Sequence, residues 1–536
     1  MNKKLNIAIS QLNFSVGDIK KNYELILKNV LLQKCKNVDI ILFSEMSLVG
    51  YPIKDLLFKK DLYELCNKYL YFIQKISYKL AIVIGHPWIE YENYYNAISM
   101  FYNGKLVGRY FKRKLPVFWD FQESRYFKEG KKKFFVSFKG YNLAFLISED
   151  IFIEDFDKNI EEIEIFIVIS ATPINSLMEE VYTRRLKYIC KNCNASVIYI
   201  NQVGGQDELV FQGGSKVLNN NGKIILNFPF FKEKTLVCKF KDLNPIKNFN
   251  RKFELSYIEK IYNALVISTH DYVKKNKFSK IILGVSGGID SSLALAIAVD
   301  AIGRRNVIAV TMPSKYSKAE SIKCVYKQKK LLDIEVINIQ IDSIVDLIIK
   351  ILSPFFSKIE KRTIENLQSR CRSVILMFIC NQKNCLLLNT SNKSESSVGY
   401  TTIYGDMSGG FSVLKDIKKS EVFFLSEYRN KISLAIPEEV FHKKPSAELS
   451  IEQYDENELY SYSLLDKIIE EHIEKNRSFT YLTKLGFQEF HLKKIVKLFY
   501  LSEYKRKQSP VGPLIGTNSF HKNVNFPITS GYFLKK

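Results

Sequence analysis

Short apolar runs separated by amphipathic stretches organise the first half of the chain. Runs at 6–11, 40–43, 81–85, 97–101, 143–147, 165–170 and 197–201 read as strands, most of them some 15 to 40 residues apart, with helical periodicity such as that at 22–36 between them. The pattern predicts an α/β sheet with both faces covered. Around 239–251 it lapses into a polar stretch, Lys-Asp-Leu-Asn-Pro-Ile-Lys-Asn-Phe-Asn, and helical periodicity resumes at Ser256. We place a domain boundary there, giving units 1–245 and 246–536. The second unit repeats strand, loop and helix, with strands at 281–285, 307–311, 335–339 and 385–389. That is the pattern of a doubly wound parallel sheet, whose ligands sit at the carboxyl ends of its strands. There is no internal repeat and no long low-complexity tract.

Residues 281–292 read Ile-Ile-Leu-Gly-Val-Ser-Gly-Gly-Ile-Asp-Ser-Ser and lead into a helical pattern. Gly287 and Gly288 let the backbone turn tightly and approach a ligand, and the following helix aims its N-terminal N–H groups at an anion. Ser286, Ser291 and Ser292 add hydroxyl donors. Asp290 would repel a phosphate unless a divalent cation lay between them, and Mg²⁺ is the usual resolution. The loop therefore predicts ATP with Mg²⁺. It lacks the Gly-Lys-Ser/Thr ending of the Walker pattern. Ser-Gly-Gly-x-Asp-Ser after a strand resembles the PP-loop of ATP pyrophosphatases, which adenylate a substrate and release pyrophosphate.

Composition changes this picture little. A chain of 536 residues, 46% hydrophobic and 13% aromatic, exceeds one core and suits two or three domains. The formal charge of +23 raises the question of nucleic acid, yet only fourteen of the 79 basic residues are arginines, and the lysines are spread everywhere. A nucleic-acid groove would concentrate arginine and aromatics, so none is expected. The nine cysteines are scattered and odd in number, which predicts reduced thiols in a cytoplasm. Cys190-x-x-Cys193 has no partner pair at zinc spacing and reads as a helix-face coincidence. The apolar run after Lys3 and Lys4 is broken by Asn6, Ser10 and Gln11, unlike a signal peptide. No segment reaches the roughly 18 apolar residues that would span a bilayer, so no membrane partner is expected.

Further segments fall where a ligand crevice would lie: Met312-Pro313-Ser314-Lys315-Tyr316-Ser317, Glu365 to Arg370, Asn389-Thr390-Ser391-Asn392-Lys393-Ser394-Glu395, and 399–410. With Pro445-Ser446-Ala447-Glu448-Leu449 and Glu503-Tyr504-Lys505-Arg506, they closely resemble the synthetase domain of NAD⁺ synthetases over 256–536. The resemblance implies amidation of deamido-NAD⁺: ATP adenylates the carboxylate, pyrophosphate leaves, and ammonia attacks the acyl adenylate. It implies ATP contacts from Gly284, Ser286, Gly287, Gly288, Asp290, Ser291, Thr390 and Ser446. It assigns the metal to Asp290 and Glu395, and the dinucleotide to Asn366, Glu395, Asp406 and Lys505. Lys505 and one of Lys418 or Lys419 look like the cations that steady the negative charge. Homo-oligomerisation through apolar helical stretches such as 344–355 is also implied.

The first unit, over about 4–240, resembles the nitrilase-type glutamine amidohydrolase domains fused to such synthetases, an αββα sandwich. The resemblance rests on Phe43-Ser44-Glu45-Met46, Gly50-Tyr51-Pro52, Lys112-Arg113-Lys114-Leu115-Pro116, Glu149-Asp150, and the run Asn201 to Glu208. In that family a glutamate base, a lysine and a cysteine nucleophile hydrolyse glutamine. Glu45 and Lys112 match the first two, but Ser148 stands where the family has the cysteine. Phe118 replaces a tyrosine and Met178 a lysine that helps bind glutamine. A thiol ionises near pH 8.5, whereas an alcohol needs a base with an orienting partner, as histidine has in serine hydrolases. The expectation is an enzyme that has lost its glutaminase and uses free ammonia. The alternatives are a fully coupled glutamine-hydrolysing synthetase, another PP-loop enzyme that modifies tRNA or forms GMP, and a binding pseudoenzyme.

Overall fold

The computed structural model describes residues 4–116, 122–153, 162–241, 244–245, 253–450, 460–516, 519–520 and 524–532. The chain divides into two compact units, Met1–Leu255 and Ser256–Lys536.

In the first unit two sheets stack. The seven-stranded sheet runs in the order Asn244–Pro245, Lys234–Lys241, Lys4–Gln11, Ile40–Leu42, Ala81–Glu90, Asn93–Tyr102 and Lys105–Phe111. The six-stranded sheet runs Ile224–Asn227, Lys216–Leu218, Ser196–Asn201, Ile165–Ser170, Tyr141–Ile147 and Phe135–Phe138. Strand side chains alternate between faces. Leu143, Phe145 and Ile147, with Ile165, Ile167 and Ile169, face Leu5, Ile7, Ile9, Leu42 and Val83 of the other sheet. The residues between them, Ala144, Leu146, Phe166 and Val168, pack against Tyr182, Leu186 and Ile189 of helix Ser176–Asn192. Both faces of these strands are buried, as their unbroken apolar runs predict, and the cover on one face is a second sheet.

The second unit holds a five-stranded sheet, every neighbouring pair parallel, in the order Glu335–Asn338, Val307–Thr311, Lys280–Gly284, Cys385–Asn389, Phe411–Ser412. Ile282, Ile308, Val310 and Leu387 face Cys371 and Cys380 of helix Lys361–Lys383. Helices Tyr257–Lys275, Ile289–Ile302 and Lys419–Ile432 pack together, the first begun by a capping box of Ser256 and Glu259. Strand Lys280–Gly284 is followed in sequence by its neighbour on one side, while Cys385–Asn389 joins it on the other. The strand order therefore reverses between them, and a crevice opens beyond their carboxyl ends.

Candidate functional site

Both walls of this crevice are strand ends. After Lys280–Gly284 the chain turns through Gly287, whose φ is +75°. A Cβ on Gly287 would lie 2.2 Å from the Ser321 carbonyl oxygen, so the turn requires glycine. Ser286 Oγ accepts from the Gly288 N–H at 3.3 Å and lies 3.2 Å from Ser291 Oγ. The Ser291 hydroxyl in turn donates to the Gly288 carbonyl at 3.1 Å. Helix Ile289–Ile302 starts here, and the N–H groups of its first turn have no intrahelical partner, which makes its start an anion site.

Across the crevice, Asn392 caps helix Lys393–Val398 by accepting from the Glu395 N–H at 2.9 Å. Its amide Nδ2 donates to Asp290 Oδ1 at 2.8 Å. One side chain thus ties the two strand ends together and brings two carboxylates to one place. The buried ammonium of Lys419 contacts Asp290 Oδ2 and lies 3.7 Å from Glu395 Oε1. Two carboxylates converging on a position of cationic charge, beside a helix N terminus, suit Mg²⁺. This ion takes one or two carboxylates and completes its shell with phosphate oxygens and water. Among the described residues no group of three or more His, Cys, Asp or Glu side chains is arranged to hold a metal ion by itself, so ligand oxygens would have to supply the remainder.

The crevice measures about 310 Å³. Gly284, Ser286, Gly288, Asp290, Ser291, Thr390, Glu395, Asp406, Lys419 and Ser446 line it. Gly287 sits behind it, against Ser321. Asn366 reaches it through Thr402, whose hydroxyl donates to Asn366 Oδ1 at 2.9 Å and whose N–H donates to Asp406 Oδ1 at 2.6 Å. Lys505 lies at a separate, smaller cavity, its ammonium donating to the Gly399 and Thr401 carbonyls, each at 2.7 Å. Of the two adjacent lysines, Lys418 faces Glu470 and Glu474, at 3.6 and 3.7 Å, and Lys419 faces the carboxylates. Arg372, Lys443 and Lys444 also line the crevice. The last two precede Pro445-Ser446 directly, a signal the sequence reading passed over.

In the first unit a second cluster is almost entirely buried. The Lys112 ammonium lies 3.0 Å from Glu45 Oε1, 2.8 Å from Glu123 Oε2 and 2.7 Å from Glu149 Oε2. Burial alone would lower its pKa, but the three carboxylates outweigh this and raise it. Glu45 also accepts from Asn96 Nδ2 at 2.7 Å and from the Ala171 N–H at 2.9 Å. Burial, reinforced by Glu123 and Glu149 and opposed by Lys112, pushes the Glu45 carboxyl up to about 8. Glu123 and Asn96 were not legible in sequence, since each stands alone without a motif.

Ser148 ends strand Tyr141–Ile147 with φ +45°, a left-handed backbone uncommon for a residue with a side chain. The turn is held by Asp150, which accepts from the N–H groups of Ile147, Arg113 and Lys114 at 3.0, 2.9 and 2.8 Å. Ser148 Oγ lies 3.0 Å from Ser170 Oγ and 3.4 Å from both Thr172 Oγ1 and Tyr182 Oη. Its hydrogen-bond partners are these hydroxyls, and neither Glu45 nor Lys112 is among them. Met178 packs its side chain against the cluster of Tyr182, Leu186 and Ile189. Phe118 lies outside the described residues.

Comparison with known proteins agrees with this division. The carbon-nitrogen hydrolase family matches residues 6–242 and the NAD synthase family residues 261–509. The glutamine-dependent NAD⁺ synthetase of Acinetobacter baylyi is 36% identical over 537 residues, covering 99% of each chain. That of Aquifex aeolicus is 37% identical over 576 residues, covering 99% of this chain and 100% of its own. The solved structure of the Acinetobacter baumannii glutamine-dependent NAD⁺ synthetase in complex with ADP superposes with a TM-score of 0.80 at 34% identity, covering 99% of each chain. Likeness of this extent across both units shows that the chain belongs to the glutamine-dependent NAD⁺ synthetases and is an NAD⁺ synthetase.

Proposed function

We propose that the second unit makes NAD⁺ from deamido-NAD⁺ and ATP through an adenylated intermediate, and that it draws on free ammonia because the first unit no longer hydrolyses glutamine. The carboxylate oxygen of deamido-NAD⁺ attacks the α-phosphorus, pyrophosphate leaves, and ammonia then displaces AMP from the acyl carbon. The 286–291 loop and the start of helix Ile289–Ile302 hold phosphate oxygens with backbone N–H groups and hydroxyls, and Thr390 and Ser446 add contacts from the other walls. Asp290 and Glu395 would hold Mg²⁺, which when bound neutralises the charge gathering on the leaving pyrophosphate. Lys419 keeps a positive charge at the same place, Asn366 and Asp406 orient the dinucleotide through Thr402, and Lys505 holds the Gly399–Thr401 backbone.

The loss of glutaminase rests on one observation: Ser148 Oγ is bonded to hydroxyls and to neither the base nor the lysine. Glu45, at about 8, is matched to a thiol of pKa about 8.5 and not to an alcohol. We also infer a homo-oligomer. Leu347 and Ile351 of helix Asp342–Leu352, and Val374 and Phe378 of the helix Lys361–Lys383 that contacts it, are exposed apolar side chains suited to a second copy.

The test is a steady-state assay of NAD⁺ formation from deamido-NAD⁺, ATP and Mg²⁺, with ammonium and with glutamine in separate runs. Turnover with ammonium alone is the expected result. Turnover sustained by glutamine would establish the fully coupled enzyme, and no turnover with saturating ammonium would remove the synthetase assignment for the crevice.

A further inference from the structure

The helices that carry Glu395 and Lys419 start side by side, and a third helix bonds to both starts. Asp466, on helix Tyr462–Ile468 and 5% exposed, accepts from the hydroxyl of Ser394 through Oδ1 and from the Ser420 N–H through Oδ2 at 2.9 Å. Fully buried Ser394 in turn accepts from the Lys419 N–H at 2.9 Å. Ser394 immediately precedes Glu395, and Ser420 immediately follows Lys419. One carboxylate therefore satisfies donors in the first turns of both helices, whose orphan N–H groups need such partners. Four residues before Asp466, and so on the same helix face, the Tyr462 ring lies 5.1 Å beneath the Lys419 ammonium.

We propose that Asp466 and Tyr462 are positioning residues for the amidation reaction, setting the separation of Glu395, Lys419 and Asp290 without touching substrate. The proposal rests on the reading that Asp290 and Glu395 hold the metal. Neither residue belongs to a motif read from the sequence. A carboxylate is needed at 466 because both of its oxygens accept. An asparagine would turn an NH₂ group toward one of the two donors and push the helix starts apart. Outer partners of this kind typically cost about 10–100-fold in metal affinity or activity when replaced.

The experiment uses the full chain with Asp466→Asn, Ser394→Ala, Tyr462→Leu and Tyr462→Phe. Ammonium-supported turnover is measured against Mg²⁺ concentration, with the melting temperature followed alongside. The expected result is a rise of about 10-fold or more in the Mg²⁺ concentration for half-maximal rate in Asp466→Asn and Ser394→Ala. Tyr462→Leu should lower kcat, and Tyr462→Phe, which keeps the ring, should recover it. Ser394→Ala removes a single hydroxyl and keeps the test open should the Asp466 variant fold poorly. Variants whose Mg²⁺ dependence matches the parent, with or without a lower melting temperature, would overturn the proposal and leave Asp466 structural. Failure of the underlying reading looks different: Asp290→Ala itself would then retain the parent's rate and Mg²⁺ dependence.

Discussion

Ser148 Oγ lies 3.0 Å from Ser170 Oγ, the side chain that ends the neighbouring parallel strand. Ser170 and Thr172 are themselves 2.6 Å apart, so the Ser148 hydroxyl joins a chain of hydroxyls that ends at Tyr182, which donates to Glu149 at 2.8 Å. The immediate partners of Ser148 Oγ are thus hydroxyls, and the network meets a carboxylate only through Tyr182.

Ser148→Cys alone should therefore give little glutamine hydrolysis. A nucleophile contributes only when the amide carbonyl is held within attack distance, and Met178 turns its side chain into the apolar cluster instead of offering a charge. The triple change Ser148→Cys, Met178→Lys and Phe118→Tyr is expected to release ammonia from glutamine where the parent releases none. Glutamate formation followed by a coupled assay checks this. If the parent already forms glutamate fast enough to sustain synthesis, Ser148 or another group is a working nucleophile.

At the synthetase crevice, Asp290→Ala should lower ammonium-supported turnover by about 10²–10³, the scale of losing one preorganised charge-stabilising contact, about 2.7–4 kcal/mol. Thermal unfolding should change far less than the rate. A near-parental rate in folded protein would make Asp290 a structural partner of Asn392 and Lys419 only.

The crevice was legible because its chemistry is local. Gly287, Ser286 and Asp290 stand within five residues, and the alternation of strand and helix says where such a loop must sit. What needed the fold was anything set by geometry between distant segments. Lys418 and Lys419 are equivalent as letters, yet one caps its helix and the next opens it, and that single step sends one ammonium to Glu470 and Glu474 and the other to Asp290. Glu123, Asn96 and Asp466 each stand alone, buried carboxylates and amides whose partners come from elsewhere in the chain. In the first unit, runs such as 143–147 and 165–170 are apolar on both faces, so they do not tell a helix cover from a second sheet. Strand Lys105–Phe111 escaped because it is an edge, partly exposed and interrupted by Gly108 and Arg109.

The apolar face of the second unit yields a prediction about assembly. Leu347, Ile351 and Phe378 are 57%, 58% and 71% exposed, which is costly in water unless a partner covers them. Light scattering should find a multiple of 62.3 kDa, and Leu347→Lys with Phe378→Glu should shift the population toward single chains. A parent that is monomeric at assay concentrations would refute the inference.

His86 is expected to weaken the first unit as pH falls. It is fully buried on strand Ala81–Glu90, one residue past Gly85, whose carbonyl accepts from the Leu48 N–H at 3.2 Å beneath the loop that carries Glu45. The Pro87 carbonyl can only accept, so Nδ1–H donates to it at 2.8 Å, and Nε2 of the neutral ring then accepts from the Ser99 hydroxyl at 2.7 Å, whose oxygen also accepts from Arg109 Nε at 2.9 Å. The ring is held neutral: burial, helped by the nearby Arg109 charge, lowers its pKa from 6.5 to about 3. Between those values the unfolded chain binds a proton that the folded one does not, so stability rises with pH across this window and is lost as pH falls from 6.5 toward 3. The full span corresponds to about 5 kcal/mol. His86→Gln, which cannot titrate, should unfold less steeply with acid than the parent, even if it is less stable at neutral pH. Urea midpoints measured from pH 7 to pH 4 decide it: parallel curves for parent and variant would show that another group governs the acid limit.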